Sequence, residues 1–377
     1  MKVLIVNPIL STIEKRGGKH SQPPLSTTMI HTLCMGFVNQ GHDLTLATAS
    51  DFRPESHNDD DYPYKTLFFR GNLKSIALPD RIPLSIEFFR FLKKNHRNYD
   101  LIIVSEIFQF YSLAAALVCP QKTIVWQEMT SHQRIFKSIP SKLWHRIIVP
   151  TAFRKIIGVI PRSLRARRFI SKYTAKVSDY IVNNPVNGSL FSPSQVKKRQ
   201  LISYSRLTYS KGIDHIIRKF AKFHEFPGYE DIKLVIAGRG EASEDLKRLA
   251  DELNIRDSVI FTGQLWHREL ATTVAESIAL LVATRKDLNM VATSESLCAC
   301  TPVLTNTVPA SVSFIESNEV GIVKDDWDEH DIKTIVDNAD LMCSRCHDIR
   351  STLTAEYAVG KFIEVKHHSP ITAIKYR

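Results

Sequence analysis

The sequence predicts an α/β protein made of two doubly wound, Rossmann-like halves. Three observations carry this. Short apolar runs alternate with segments of helical periodicity along the chain, the signature of stacked βαβ units and parallel sheets. The runs are brief and unbroken, as buried strands are. At 377 residues the chain is long enough for two or three domains, each with its own core, and a polar, turn-rich stretch interrupts the pattern near its middle.

In the first half, residues 3–7 read as the opening strand. Met29, Ile30, Leu33, Phe37 and Val38 follow helical spacing, and Gly41 stands where a helix stops. Residues 44–48 are the next strand, 86–94 a helix, 101–104 a strand, 113–118 a helix and 123–126 a strand. Residues 180–183 read as the last strand of this half. The linker is Asn183-Asn184-Pro185-Val186-Asn187-Gly188, then Ser192-Pro193-Ser194. The second half restarts with a strand at 201–204 and a helix at 213–223. Strand 233–237 leads into a glycine-bearing loop and a helix at 242–253. A strand at 259–261 and a short helix at 270–277 follow, and strands 279–282, 303–305 and 321–323 complete a parallel sheet. Helices at 328–342 and 346–362 close the pattern. The expected domains are therefore 1–192 and 193–360, with a tail at 361–377.

Composition is that of a soluble globular protein, 44% hydrophobic and 24% charged. No apolar run approaches bilayer-spanning length, and the first is too short for a signal-peptide core, so the expected location is cytoplasmic. The six cysteines form no framework. Cys343-x-x-Cys346 reads as two reduced helix cysteines, and Cys298 and Cys300 as small packing residues. The net charge of +11 is concentrated: residues 131–178 hold twelve Lys/Arg and no Asp or Glu, interleaved with Phe136, Leu143, Trp144, Ile147 and Phe169. That mixture suits an anionic membrane surface, and less well nucleic acid or another polyanion; a solvated basic face is the third reading.

Three constellations in the second half carry chemistry. Ser205-Arg206-Leu207-Thr208-Tyr209-Ser210-Lys211-Gly212 joins a strand to a helix, and an Arg and a Lys five apart there offer cations to a diphosphate, unless they are two solvated charges on a loop. Gly238-Arg239-Gly240 joins the next strand and helix; glycines there let backbone approach a ligand closely, a weak signal on its own. Asp287 and Glu295 stand eight apart, before a strand that starts after Thr301-Pro302. Carboxylates accept from sugar hydroxyls, and the amides of Asn289, Met290 and Val291 are placed to donate; two helix-flanking acids are the alternative.

Together these motifs resemble the nucleotide-binding domain of retaining glycosyltransferases of the GT-B fold, family 4 (glycosyl transferases group 1). The matching residues run in order: Ser205-Arg206-Leu207 with Lys211-Gly212, Gly238-Arg239-Gly240, Phe261-Thr262-Gly263, Asp287-x7-Glu295, and Ala299-Cys300-Thr301-Pro302-Val303. The resemblance covers about 201–362. It implies two Rossmann-like domains facing a central cleft, with the last helix crossing back onto the first domain. It further implies that Arg206 and Lys211 hold the diphosphate, Glu295 the ribose, and Asp287 the donor sugar. The chain departs from the family in having Asp at 287, Leu288-Asn289-Met290-Val291-Ala292 in place of a glycine-rich loop, and Cys300 in place of a glycine.

In the first half, Gly17 and Gly18 stand where the family has a Gly-Gly loop. No histidine occupies the family's position after a later strand; His132 comes a few residues late. Glu106 and Glu128 follow successive strands there, placed to orient an acceptor hydroxyl or to serve as general base, unless each only binds backbone. The expected activity is hexosyl or N-acetylhexosaminyl transfer from a nucleotide-diphosphate sugar to a glycan or lipid-linked acceptor, in polysaccharide or glycolipid assembly. It needs no cofactor and no metal, and it would be peripheral to the inner face of the cell membrane through 131–178. The competing readings are a non-catalytic glycosyltransferase-like partner-binding subunit and a polyanion-binding or nucleic-acid-binding protein.

Overall fold

The computed structural model describes residues 1–10, 23–72, 82–134, 136–286 and 290–368. The chain forms two compact units. One is Met1–Pro185 together with the segment from Ala355, and the other is Val186–Thr354.

Each unit is built on a six-stranded, all-parallel sheet. The first sheet runs β3-β2-β1-β4-β5-β6, with β1 Lys2–Val6, β2 Asp43–Ala49, β3 Lys65–Phe69, β4 Leu101–Ser105, β5 Thr123–Gln127 and β6 Gly158–Pro161. The second runs β12-β11-β10-β7-β8-β9, with β7 Gln200–Tyr204, β8 Lys233–Ala237, β9 Val259–Gly263, β10 Ala279–Val282, β11 Val303–Thr305 and β12 Gly321–Val323. The order is the same in both, and it reverses direction once: between β1 and β4, and between β7 and β10. In open α/β sheets that reversal leaves a crevice at the carboxyl ends of the strands. The central strands are covered on both faces, which is why Val3, Leu4, Ile5 and Val6 form an apolar run with no solvent exposure. Thr28, Ser85 and Ser163 cap the helices Met29–Asn39, Ile86–Asn95 and Leu164–Ile170 by accepting from backbone N–H groups of their first turns.

Several expected boundaries move. Residue 192 falls inside the second unit, and 360 inside the helix Ala355–His368, which belongs to the first. That helix packs on Met29–Asn39, and Phe362 reaches Phe37 and Trp126 at ring-centroid distances of 6.3 and 5.9 Å. Residues 180–183 are not a strand. The last strand of the first sheet is β6, and the later segment runs beside it through a lone bridge, Val159 to Val177, and one bond from Val182 N–H to the Pro161 carbonyl. Its apolar residues Val177 and Val182 are buried there, so the pattern was real but the ladder is absent. β3 was not anticipated. The helix expected over 328–342 breaks at Asn338, whose side-chain amide donates to the Thr334 carbonyl. The one expected over 346–362 breaks at 350–354, where the hydroxyls of Thr352 and Thr354 bond local carbonyls and compete with helix continuation.

Candidate functional site

At the reversal in the second sheet, the loops after β7 and β10 are tied to each other. The Arg285 amide donates to the Ser210 carbonyl at 2.8 Å and the Thr284 hydroxyl to the same oxygen at 3.2 Å. The Arg285 guanidinium makes a two-pronged pair with Asp214, at 3.0 and 2.8 Å, and also bonds the Tyr209 carbonyl. Gly212 ends the first loop with φ +68° and opens the helix Ile213–Phe223. A Cβ at Gly212 would collide with the Ala283 carbonyl oxygen, so the two loops approach this closely only because the residue is glycine. Arg206 is exposed on this loop, Lys211 half-buried, and Leu207 between them is buried and anchors it.

Gly238 and Gly240 lie after β8. Their close approach is to the chain's own backbone: a Cβ on Gly238, at φ +139°, would strike the Ser205 carbonyl, and one on Gly240 would strike Leu207. Leu207 N–H donates to the Arg239 carbonyl and its own carbonyl accepts from Ala242 N–H, both at 2.9 Å. The glycine loop therefore works as a brace behind the Arg206–Lys211 loop.

Glu295 lies on the helix Val291–Cys298, near the carboxyl end of β7. The Tyr204 hydroxyl, on the last residue of that strand, donates to Glu295 Oε2 at 3.1 Å and to the Ala292 carbonyl at 2.9 Å. Burial pushes the Glu295 carboxyl up to about 7, against the pull of that hydrogen bond. Tyr204 is pushed well above the usual phenol range by its own burial and by the nearby carboxylate. Met290 and Val291 open this helix. No side chain caps its start among the described residues, and Met290 is buried in the core. The amides of a helix start carry partial positive charge.

In the first unit, Glu106 follows β4 with a left-handed backbone, φ +65°. Its carboxylate turns inward and accepts from the amides of Glu128 and Met129, the latter at 3.3 and 3.2 Å. Burial and the neighbouring Glu128 push it up to about 8, while the amides and Arg162 pull the other way. Glu106 thus binds the turn after β5. Glu128 pairs through Oε2 with Arg162, which also bonds Asn184 and stacks 4.4 Å over the Trp126 ring. His132 lies in an aromatic cluster, with its ring nitrogens 3.1 Å from the Ser141 hydroxyl and 2.9 Å from that of Tyr173. Gly17, Gly18, Asp287 and Asn289 lie outside the described residues. Sequence reasoning missed Tyr204, Arg162 and the Arg285–Asp214 pair; their partners are distant in sequence, and no local pattern marks them.

Residues 190–346 match the family described as Glycosyl transferases group 1. The alpha-monoglucosyldiacylglycerol synthase of Streptococcus pneumoniae is 28% identical over 191 residues, 46% of this chain and 42% of that protein. An uncharacterized glycosyltransferase of Methanocaldococcus jannaschii is 28% identical over 128 residues, 34% of this chain and 32% of that protein. The matched stretch thus spans less than half the length of either relative. An uncharacterized glycosyltransferase of Haemophilus influenzae is 24% identical over 347 residues, 87% of this chain and 90% of that protein. Among solved structures, Anabaena Alr3699/HepE in complex with UDP aligns with a TM-score of 0.67 at 13% identity, over 97% of this chain and 99% of that one. The lipopolysaccharide outer core galactosyltransferase WaaB aligns with a TM-score of 0.62 at 13% identity, over 97% and 100%. At such identities the likeness is one of fold, and the fold shared is GT-B.

Proposed function

We propose that this chain, whose residues 190–346 match the glycosyl transferases group 1, transfers a sugar from a nucleoside-diphosphate sugar to a hydroxyl of a glycolipid or glycan acceptor. The observation that carries the proposal is the construction at the β7/β10 reversal. A loop bearing Arg206 and Lys211, clamped from one side by Arg285 and braced from the other by Gly238–Gly240, stands where such sheets take ligands.

In this reading Arg206 and Lys211 neutralise the diphosphate, and the open helix start at Met290–Val291 adds amides toward it. Glu295, held by Tyr204, accepts from ribose hydroxyls. Asp287 and Asn289 are assigned to the donor sugar. The bond from the anomeric carbon to the diphosphate breaks, and a bond to the acceptor oxygen forms on the same face. The acceptor's proton passes to the departing phosphate oxygen, and the same-face attack retains the anomeric configuration. The main electrostatic task is charge growing on the leaving group, and two fixed cations meet it without a metal. In the first unit Glu128 is the better acceptor-side candidate, since both oxygens of Glu106 already serve backbone.

UDP is the first nucleotide to test, because the fold relative HepE binds it. The name of the pneumococcal relative supports a glycolipid acceptor. Titration calorimetry with a panel of nucleoside diphosphates tests the proposal. We expect micromolar binding of at least one, weakened about tenfold or more in Lys211→Ala and Glu295→Ala with the fold intact. No binding to any of them sinks the transferase reading.

A further inference from the structure

One face of the first unit carries an exposed apolar stripe among unpaired cations. Residues 139–152 form one helical run, Ile139–Leu143 and Val149–Ala152 joined by a π-helical turn at Trp144–Ile148. Its inner face is Ser141, His145 and Val149, all fully buried and four residues apart. His145 packs there against His132, Phe169 and Tyr173, and the Trp144 indole donates to the Ile107 carbonyl at 3.0 Å. The run is therefore fixed to the domain and cannot roll.

Its outer face is the unusual one. Ile139, Leu143 and Ile147, again four apart, are 55, 53 and 55% exposed, and Phe136 just before them is 73% exposed. No other twelve-residue window among the described residues holds more than two large apolar side chains as open. Phe136, Lys137 and Ser138 all adopt left-handed backbone, unfavourable for non-glycine residues, on the approach to the helix. Cations surround the stripe. Lys137, Lys142, Arg146, Arg154 and Lys155 are exposed, and none forms an ion pair among the described residues. Two other cations of the basic stretch are engaged within the domain: Arg162 is buried on Glu128 and Trp126, and Arg167 is paired with Asp179.

We propose that the Phe136–Ile139–Leu143–Ile147 stripe with its rim of Lys137, Lys142 and Arg146 is a docking surface for an anionic lipid bilayer, seated at the headgroup–acyl boundary. Charge complementarity selects the occupant. Apolar side chains at the centre with lysine and arginine around them, and no acid from 131 to 178, match anionic headgroups over acyl chains. A nucleic acid would match the cations and leave the stripe in water. A second copy of this chain would bring identical cations against them. This surface is independent of the nucleotide site, so each reading can fail without the other.

The test uses the full chain and sedimented vesicles, either phosphatidylcholine alone or with about 40% phosphatidylglycerol. Wild type is expected to bind the anionic vesicles at low salt, to release as salt rises, and to bind neutral vesicles far more weakly. Ile139→Ser/Leu143→Ser/Ile147→Ser and Lys142→Ser/Arg146→Ser are each expected to lower binding at least tenfold, while both still titrate with the nucleoside diphosphate as wild type does. A Phe136→Trp variant reads insertion directly, and its emission is expected to shift to the blue on adding anionic vesicles. The proposal is overturned if wild type ignores anionic vesicles, if the triple variant binds as tightly as wild type, or if the emission of Trp at 136 does not move. It is also overturned if the stripe instead mediates a dimer that the triple variant dissolves.

Discussion

Tyr204 and Glu295 share a 3.1 Å hydrogen bond, although 91 residues separate them in the chain. The bond fixes the carboxylate of a short helix to the last residue of the central strand β7, and leaves an acid pushed up to about 7 by burial.

The first prediction follows from that value. Glu295 is protonated more readily folded than unfolded. Its contribution to stability is therefore greatest at low pH and is lost as pH rises from its ordinary value through about 7. Acceptance of ribose hydroxyls favours the carboxylate. Affinity for the nucleoside diphosphate is expected to increase between pH 6 and pH 8 by severalfold in wild type. The increase should be smaller in Glu295→Gln, whose remaining slope belongs to the nucleotide itself. Calorimetry across that range decides, and equal slopes would remove Glu295 from the ribose.

Gly212→Ala should be costly despite the smallness of the change. It places a Cβ against the Ala283 carbonyl at a residue with φ +68°. The two effects together are expected to destabilise the second unit by roughly 1–3 kcal/mol. Chemical denaturation reads this, and a loss under about 0.5 kcal/mol would mean that the loops part easily.

Glu106 gives a pH signature of its own. Its carboxyl is pushed up to about 8, so wild type should lose stability as pH climbs from about 5 to about 8.5. Glu106→Gln removes its share of that slope, leaving the part due to Glu295, and also turns an amide toward two backbone donors, costing roughly 1–3 kcal/mol at pH 6. Denaturation midpoints at several pH values check both parts.

Cys343 is expected to be the most reactive of the six cysteines. A hydrogen bond from the Cys300 thiol holds it below the usual thiol range, with help from the Lys197 ammonium, against the opposing effect of burial. Burial pushes Cys346 the other way, up to about 12. Limiting iodoacetamide at pH 7 should label Cys343 first on peptide mapping, and Cys300→Ala should slow it severalfold. Preferential labelling of Cys346 would contradict the arrangement.

The second sheet was largely legible in the sequence because each of its strands is an apolar run between helices of clear period. Its strands at 233–237, 279–282, 303–305 and 321–323 have the boundaries expected of them. β6 was not legible. Gly158-Val159-Ile160-Pro161 is four residues long, bounded by glycine and proline, and embedded in the basic stretch whose charge dominates any local reading. In the candidate site, Arg206, Lys211 and Glu295 could be singled out because their order and spacing carry a motif. The inward turn of Glu106 could not, since it depends on a left-handed backbone and on amides of a loop twenty-two residues on. Gly238 and Gly240 were legible as a loop needing close approach, but not as a loop whose neighbour is the chain itself.

The helix Ala355–His368 belongs to the same unit as Met1–Pro185, and this fixes the order in which the two domains can close. As the chain leaves the ribosome, the first 185 residues emerge with Phe37 and Trp126 still lacking their partner Phe362. The 186–354 unit, contiguous in sequence, is complete while its elder neighbour still waits. The first domain is therefore closed only after the second has been made, and its apolar surface stays open for the whole of that time.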